Sequence, residues 1–533
     1  MLENGKVWVA ADKDNGEKVY LLPGKANRHG LIAGATGTGK TITLKVLAES
    51  FSNMGVPVFL ADVKGDLAGM IAAGTDSEDM QKRIERFGLS EAGFSYQSYP
   101  STIWDIYGEK GVPLRTTISE MGPLLLARIL GLNDLQRDIL SVTFKIADDN
   151  GLLLIDTKDL KAMLNYVSEN NKDFAADYGN ISPVSVAAIM RSLVSLEIAG
   201  GDKFFGEPAL NILDWFSVGE GGKGMINILD SESLINNGTL YSTFLLWMLS
   251  ELFETLPEVG DLEKPKMVFF FDEAHLLFKD TPKPLLEKVE QVVKLVRSKG
   301  VGVYFVTQNP RDIPDGVLAQ LGNKIEHALH AYTPADQKAV KAAAMSFREN
   351  PAFDTADAIM NLGTGEAIVS FLQEDGTPGM ARRVSILPPQ SRMGSISDSE
   401  REQSIKASMA YTKYANAVDP DSAYEFLERR GLEAAEARKK AEEEAAAAKQ
   451  AEKEAKAAEK EAEKVAKAKE REEAAKKRAT KQAAKSVGNS VAGTVGREVG
   501  KTVGGTFGKF GKTLGGNLGA SLGRGIIGTL FKL

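Results

Sequence analysis

The sequence predicts an α/β fold: a mainly parallel sheet with a helical insertion, followed by a long charged helix and a glycine-rich tail. Two observations carry this. The segments VPVFLADV (56–63), KMVFFFDEA (266–274) and VGVYFVTQN (301–309) are short, rich in β-branched and aromatic residues, and apolar on both faces. Such runs suit strands buried on both sides, as in a parallel sheet covered by helices. Over residues 1 to about 395, strand-like runs of this kind alternate with segments of helical spacing, which is the α/β pattern.

Taken in order, the first 33 residues hold room for two short strands, at 7–10 and 19–22. A third apolar run, 31–33, leads into a glycine-rich loop and then a helical pattern over 42–51. Between about 112 and 216 the character changes to helix. LLLARILGL, LQRDILSVTFKIA and VSVAAIMRSLVSLE have apolar residues three and four apart, so this stretch reads as a helical insertion between strands. Residues 396–430 form a connector.

From 431 to 485 the chain is almost entirely Ala, Glu, Lys and Arg. These are strong helix formers, with many opposite charges at helical spacing. A coiled coil needs apolar a and d positions; here Ala fills most of them and Val465 is an exception. The expectation is a charged helix, either solvated or coiled. In residues 486–533 glycine recurs about every fourth position from Gly496. Val491, Val495, Val499, Val503, Phe507, Leu514, Leu518, Leu522 and Ile526 keep step with it. Small residues four apart let helices approach closely. Six basic residues, Arg497, Lys501, Lys509, Lys512, Arg524 and Lys532, face one acid, Glu498. The tail reads as an interfacial membrane helix, a self-packing segment, or a flexible end.

Composition narrows the function classes. With 533 residues, 43% hydrophobic and 26% charged, the chain is of globular type and longer than one ordinary domain. A net charge of −7 argues against an overall basic coat for nucleic acid. There is no cysteine, which excludes disulfides and thiolate metal sites. The N-terminal sequence lacks a secretory pattern, and the strongly apolar run at 244–249 is too short to span a bilayer. The expected compartment is the cytoplasm.

The sequence Gly34-Ala35-Thr36-Gly37-Thr38-Gly39-Lys40-Thr41 fits the phosphate-loop pattern G-x-x-x-x-G-K-[ST]. Its glycines let successive backbone N–H groups point at phosphates, and Lys40 adds a positive charge. The Thr41 hydroxyl is a ligand for Mg²⁺, and the helix that follows offers its N-terminal end. A second element, VFFFDEAH, ends a strand with Asp272 and Glu273. Asp272 is expected to hold Mg²⁺, and Glu273 to polarise an attacking water. The pair is expected on a strand tip adjoining the loop. The third strand ends in Thr307-Gln308, where Gln308 is placed to sense a γ-phosphate. Lys64 and Asp66, just beyond another strand, either meet the nucleotide or cap a turn. The four histidines, His29, His275, His327 and His330, have no acidic or cysteine cluster beside them and read as no zinc site.

The stretches NRHGLIAGATGTGKT, FLADVKGDLAGM, STIWDIYG, LYSTFLLWMLSELFETLPEVGD, PKMVFFFDEAHLLF, VTQNPRDIPDGVLAQLGNKIEHALHAYTPADQKAV and ILPPQSRMG resemble the HerA/FtsK branch of P-loop ATPases, and within it the bacterial HerA-like family. The resemblance covers about residues 1–395. It implies a RecA-like core, ATP with Mg²⁺, hexameric rings, and a motor acting on double-stranded DNA. It also implies an arginine reaching a neighbour's γ-phosphate; Arg382, Arg383 and Arg392 are the candidates, and Arg383 best fits the family position. The family's N-terminal β-barrel has no room before Gly34. Two alternatives to the DNA motor stay open: an ATPase anchored through its tail to a membrane or protein partner, and a nucleotide-dependent switch.

Overall fold

The computed structural model describes residues 1–260, 262–279 and 283–484. The chain divides into two units, Met1–Ala434 and Ala435–Leu533.

The first unit is built on one sheet of thirteen strands: β1 (Leu2–Glu3), β2 (Lys6–Asp12), β3 (Lys18–Leu21), β4 (Gly30–Ala33), β5 (Val58–Asp62), β6 (Ser101–Asp105), β7 (Val112–Pro113), β8 (Ile226–Asp230), β9 (Met267–Phe271), β10 (Val301–Thr307), β11 (Asn323–Glu326), β12 (Glu366–Ser370) and β13 (Arg382–Ile386). The order is β1-β2-β13-β12-β11-β4-β10-β9-β5-β8-β6-β7, with β3 paired to β2. Every pairing from β11 through β7 is parallel. The remainder, from β12 outward, is antiparallel. The expected fold class therefore holds. The N-terminal strands make no separate barrel: β2 pairs with β13, Val384 opposite Asp12, and so extends the same sheet.

Strands β4, β5, β8, β9 and β10 are buried at every position, as their continuous apolar runs require. Their residues alternate between two apolar layers. Leu31, Phe59, Phe269, Phe271 and Phe305 enter the layer shared with the helical insertion. Ile32, Leu60, Phe270, Tyr304 and Val306 enter the other, with Leu44, Leu47 and Phe51 of the helix Lys40–Asn53. Each such side chain contributes about 1.5–3 kcal/mol on burial.

The insertion contains the helices Ile118–Ile129, Asp134–Asp149, Thr157–Glu169, Asn171–Tyr178 and Pro183–Ile198. Three begin with reciprocal caps, at Thr117, Asn133 and Asp156. Leu126, Leu140, Leu164, Ile189 and Leu193 join the same core as the sheet face. Among the described residues no single helix is long and apolar enough to cross a membrane.

Residues 396–430 are largely helical and packed. The helices Asp398–Ala407 and Met409–Tyr414 lead to Tyr414, which is buried and meets the Trp104 ring edge-on at 5.5 Å. The long helix begins at Ala423, ahead of the change in composition at 431, and runs to Ala484. In the second unit its described part is solvated and carries i,i+4 pairs such as Lys456–Glu452 and Lys467–Glu463. Val465 is half exposed. The glycine-rich tail, 486–533, lies outside the described residues.

Candidate nucleotide site

The parallel strands bring their C-terminal ends to one edge of the sheet, where sites of α/β proteins gather. Strand β4 ends at Ala33 and the loop 34–41 follows. Gly34, Gly37 and Gly39 have φ of 145°, 80° and 120°, a region that L side chains rarely adopt. Gly34 is also needed for space, because a Cβ there would lie 2.5 Å from the Cβ of His327. Gly39 caps the helix Lys40–Asn53, in which Lys40 and Thr41 are the first two residues. Lys40 Nζ donates to the carbonyls of Gly34 at 2.6 Å and Ala35 at 3.0 Å, and Thr38 Oγ1 donates to Ala35 O at 2.7 Å. Burial pushes the Lys40 ammonium below its ordinary pKa, while Asp272, Glu273 and Glu326 oppose that shift. The lysine is held by main-chain dipoles that an anion in the loop can replace.

The acidic strand is not the immediate neighbour of the loop strand. Strand β10 lies between them, pairing Thr307 with Ala33 on one side and Phe305 with Phe271 on the other. The expectation of adjoining tips is corrected by this register, which sets Gln308 between the loop and the acidic pair. Gln308 Nε2 reaches Glu273 Oε1 at 3.4 Å, a long contact. Glu273 has φ of 49°, a strained conformation for a residue with a side chain. Its Oε2 is buried without a hydrogen bond, although His275 Nδ1 lies 3.3 Å away. The turn is fastened from below: Tyr241 OH donates to Asp272 O at 2.7 Å, and Glu273 N donates to Asp272 Oδ1 at 2.9 Å.

Burial and the neighbouring Glu273 push the Asp272 carboxyl up to about 7, against the pull of Lys64 and Lys40. A carboxylate this poorly compensated fits a site completed by a cation. One carboxylate and the Thr41 hydroxyl are hard oxygen donors, the kind Mg²⁺ takes alongside phosphate oxygens and water.

Further residues contribute to the site, beginning with Lys64, for which the sequence leaves both a nucleotide contact and a turn cap open. Asp62 closes its loop by accepting from Gly65 N at 2.8 Å and Ala68 N at 2.9 Å, and the exposed Lys64 acts on both Lys40 and Asp272. Glu326 is buried beside Ala33 with Oε1 unpartnered, and burial raises its carboxyl well above the usual range. His327 Nδ1 lies 2.8 Å from Glu366 O and must donate to that carbonyl. Nε2, at 2.8 Å, therefore accepts from Thr43 Oγ1 in the loop helix. The imidazole is neutral, and burial lowers its pKa to about 4. No local sequence signal marks Glu326 or His327.

The arginine candidates are all engaged within their own chain. Arg383 Nη2 is 3.1 Å from Glu366 Oε2 and 3.4 Å from Asn361 O. Arg382 pairs with Asp12 at 2.9 Å and with Glu17, and Arg392 pairs with Glu400 at 2.9 Å. His29 and His330 lie apart from the site: His29 Nδ1 accepts from Val303 N, and His330 stands by Tyr332.

Known proteins are similar to this chain. The DNA double-strand break repair helicase HerA of Sulfolobus acidocaldarius is 24% identical over 360 residues, covering 66% of this chain and 63% of that protein. A probable helicase of Methanocaldococcus jannaschii is 31% identical over 146 residues, 27% of this chain and 26% of that one. The matched regions thus span less than two thirds of either relative. Among solved structures, the bacterial conjugative coupling protein TrwBdeltaN70 superposes with a TM-score of 0.50 at 15% identity, over 75% of this chain and 92% of that one, a likeness of fold. The family model for the helicase HerA-like C-terminal region matches residues 8–512, taking in the loop, the acidic pair and Gln308, and the chain belongs to that family.

Proposed function

We propose that this chain is an ATP-hydrolysing motor that works on double-stranded DNA as a homo-oligomeric ring in the cytoplasm. The observation that carries the reading is the strand order β4-β10-β9, which groups a lysine-bearing phosphate loop, a glutamine and an Asp-Glu pair at one sheet edge. The HerA relatives named as DNA repair helicases support the choice of substrate.

In this reading the N–H groups of Gly34 to Thr41 and the helix end receive the β- and γ-phosphates. Lys40 leaves the Gly34 and Ala35 carbonyls for them. Thr41 and Asp272 would hold Mg²⁺, whose charge would offset that of the phosphates. Glu273 accepts a proton from the attacking water. Gln308, whose side-chain amide meets Glu273, is placed to sense the γ-phosphate. Arg383 serves a neighbouring protomer's γ-phosphate by exchanging Glu366 for it.

Phosphate release with and without duplex DNA, over a range of salt, tests the motor. Turnover raised by DNA and lost steeply with salt is expected, because phosphate contacts release counterions. ATP turnover that no DNA form raises at low salt overturns the DNA assignment and leaves an ATPase with another partner. Light scattering with a non-hydrolysable ATP analogue tests the ring; a monomer under all conditions overturns it.

A further inference from the structure

Arg83 lies on the helix Glu78–Arg86, next to the phosphate loop and on the side away from the acidic pair. The other basic residues of that helix are engaged. Lys82 pairs with Glu78 at 2.6 Å, and Arg86 Nη2 donates to Ser385 Oγ at 2.8 Å. Arg83 has no ion pair or side-chain hydrogen bond among the described residues.

Two glycines bring its guanidinium to the loop. A Cβ built on Gly365 would sit 3.3 Å from Arg83 Nη1 and 3.4 Å from Nη2. Gly365 N in turn donates to Thr38 O at 2.9 Å, and a Cβ built on Gly39 would lie 3.3 Å from Gly365 Cα. A single residue without a side chain thus separates the guanidinium from the loop backbone. The other cations on this side are spoken for, since Lys13 and Arg383 both bind Glu366. His327 is neutral, as argued above.

The strand order gives the contact a direction. Asp272, Glu273 and Gln308 mark the γ-phosphate end and lie on the β10–β9 side of β4. Gly365, at the start of β12, and Arg83 lie on the β11–β12 side. A nucleotide seated in the loop with its γ-phosphate toward the acids extends its nucleoside half toward Arg83. We infer that Arg83 binds the α-phosphate and ribose half of the nucleotide across the Gly365–Gly39 contact. The inference rests on the nucleotide reading above. A planar guanidinium suits an anionic oxygen pair better than an ammonium does.

Titration calorimetry on the full chain with Mg²⁺ tests it, using ADP, a non-hydrolysable ATP analogue and inorganic phosphate. Arg83→Ala is expected to weaken ADP and the analogue by the same factor, about 10-fold, the size of one hydrogen bond to a charged group. Inorganic phosphate affinity is expected to stay within about twofold, because a single phosphate in the loop has no counterpart of the α-phosphate or the ribose. Arg83→Lys should fall between the two proteins, and matching thermal melts show the fold unchanged. Three results overturn the assignment: no loss in R83A, a loss confined to the ATP analogue, or an equal loss for inorganic phosphate. A wild-type chain that binds neither nucleotide refutes the nucleotide reading itself, and this inference with it.

Discussion

Replacing His327 by Gln should alter how stability responds to acid, by an amount the structure sets. His327 is fully buried and neutral, donating to Glu366 O and accepting from Thr43. Its pKa falls from 6.5 to about 4 on folding. The folded state therefore disfavours the proton. The stabilisation is complete above the unfolded pKa of 6.5, is lost as pH falls, and levels off below about 4. The full loss is about 3 kcal/mol at 1.36 kcal/mol per pKa unit, and about 2 kcal/mol is already gone at pH 5. Gln keeps a donor and an acceptor but fits the space less well, which costs about 1–2 kcal/mol at any pH. H327Q should thus melt below wild type at pH 7.5, and the gap should close near pH 5. For a unit running from Met1 to Ala434, unfolding entropy near 2.1 cal/mol/K per residue makes each kcal/mol about 1 °C in Tm. The gap is then about 1–2 °C at pH 7.5 and about zero at pH 5. Intrinsic tryptophan melting of the two proteins across that range reads it. His29, also lowered to about 4, titrates equally in both and cancels. A gap of constant size from pH 7.5 to pH 5 would refute the assignment of a neutral buried imidazole.

Glu273→Gln should lower ATP turnover by about 100-fold or more while leaving affinity for a non-hydrolysable analogue unchanged, because the amide cannot take the proton. Unchanged phosphate release would instead favour the nucleotide-dependent switch. Lys40→Ala should weaken binding of ADP and ATP by about 10-fold or more in calorimetry, since it removes the charge-assisted contact itself. Gly34→Ala should lower stability by about 1–3 kcal/mol, from its φ of 145° and the 2.5 Å approach to His327 Cβ. A melt equal to wild type would show that the loop is not held against His327.

What the sequence made legible here was local. The phosphate loop is readable because its geometry depends on glycines within one turn of chain, at 34, 37 and 39. The strand tips bearing Asp272, Glu273 and Gln308 are readable because a strand buried on both faces has few polar positions, and these stand just past its end. The remainder depends on contacts made across the sheet. His327 meets Thr43 over a separation of 284 residues, and nothing near either position marks the pair. The insertion of β10 between β4 and β9 is a topological fact that composition does not record. The start of the long helix is the same kind of case. Its first turn is fixed not by the charged repeat but by Asp159 of the insertion, which accepts from Ser422 Oγ at 2.6 Å and Tyr424 N at 2.8 Å. A carboxylate at a helix start satisfies orphan N–H groups, so the helix begins where that partner stands, at Ala423. Arg83 falls under this rule as well. In the linear sequence it is one of several bases on an amphipathic helix, and only the approach of Gly365 to both Gly39 and the guanidinium separates it from its neighbours Lys82 and Arg86. Parts of the site that act through their own backbone are therefore open to sequence reasoning, whereas parts that act by crossing from one strand to another become visible only once the sheet order is known.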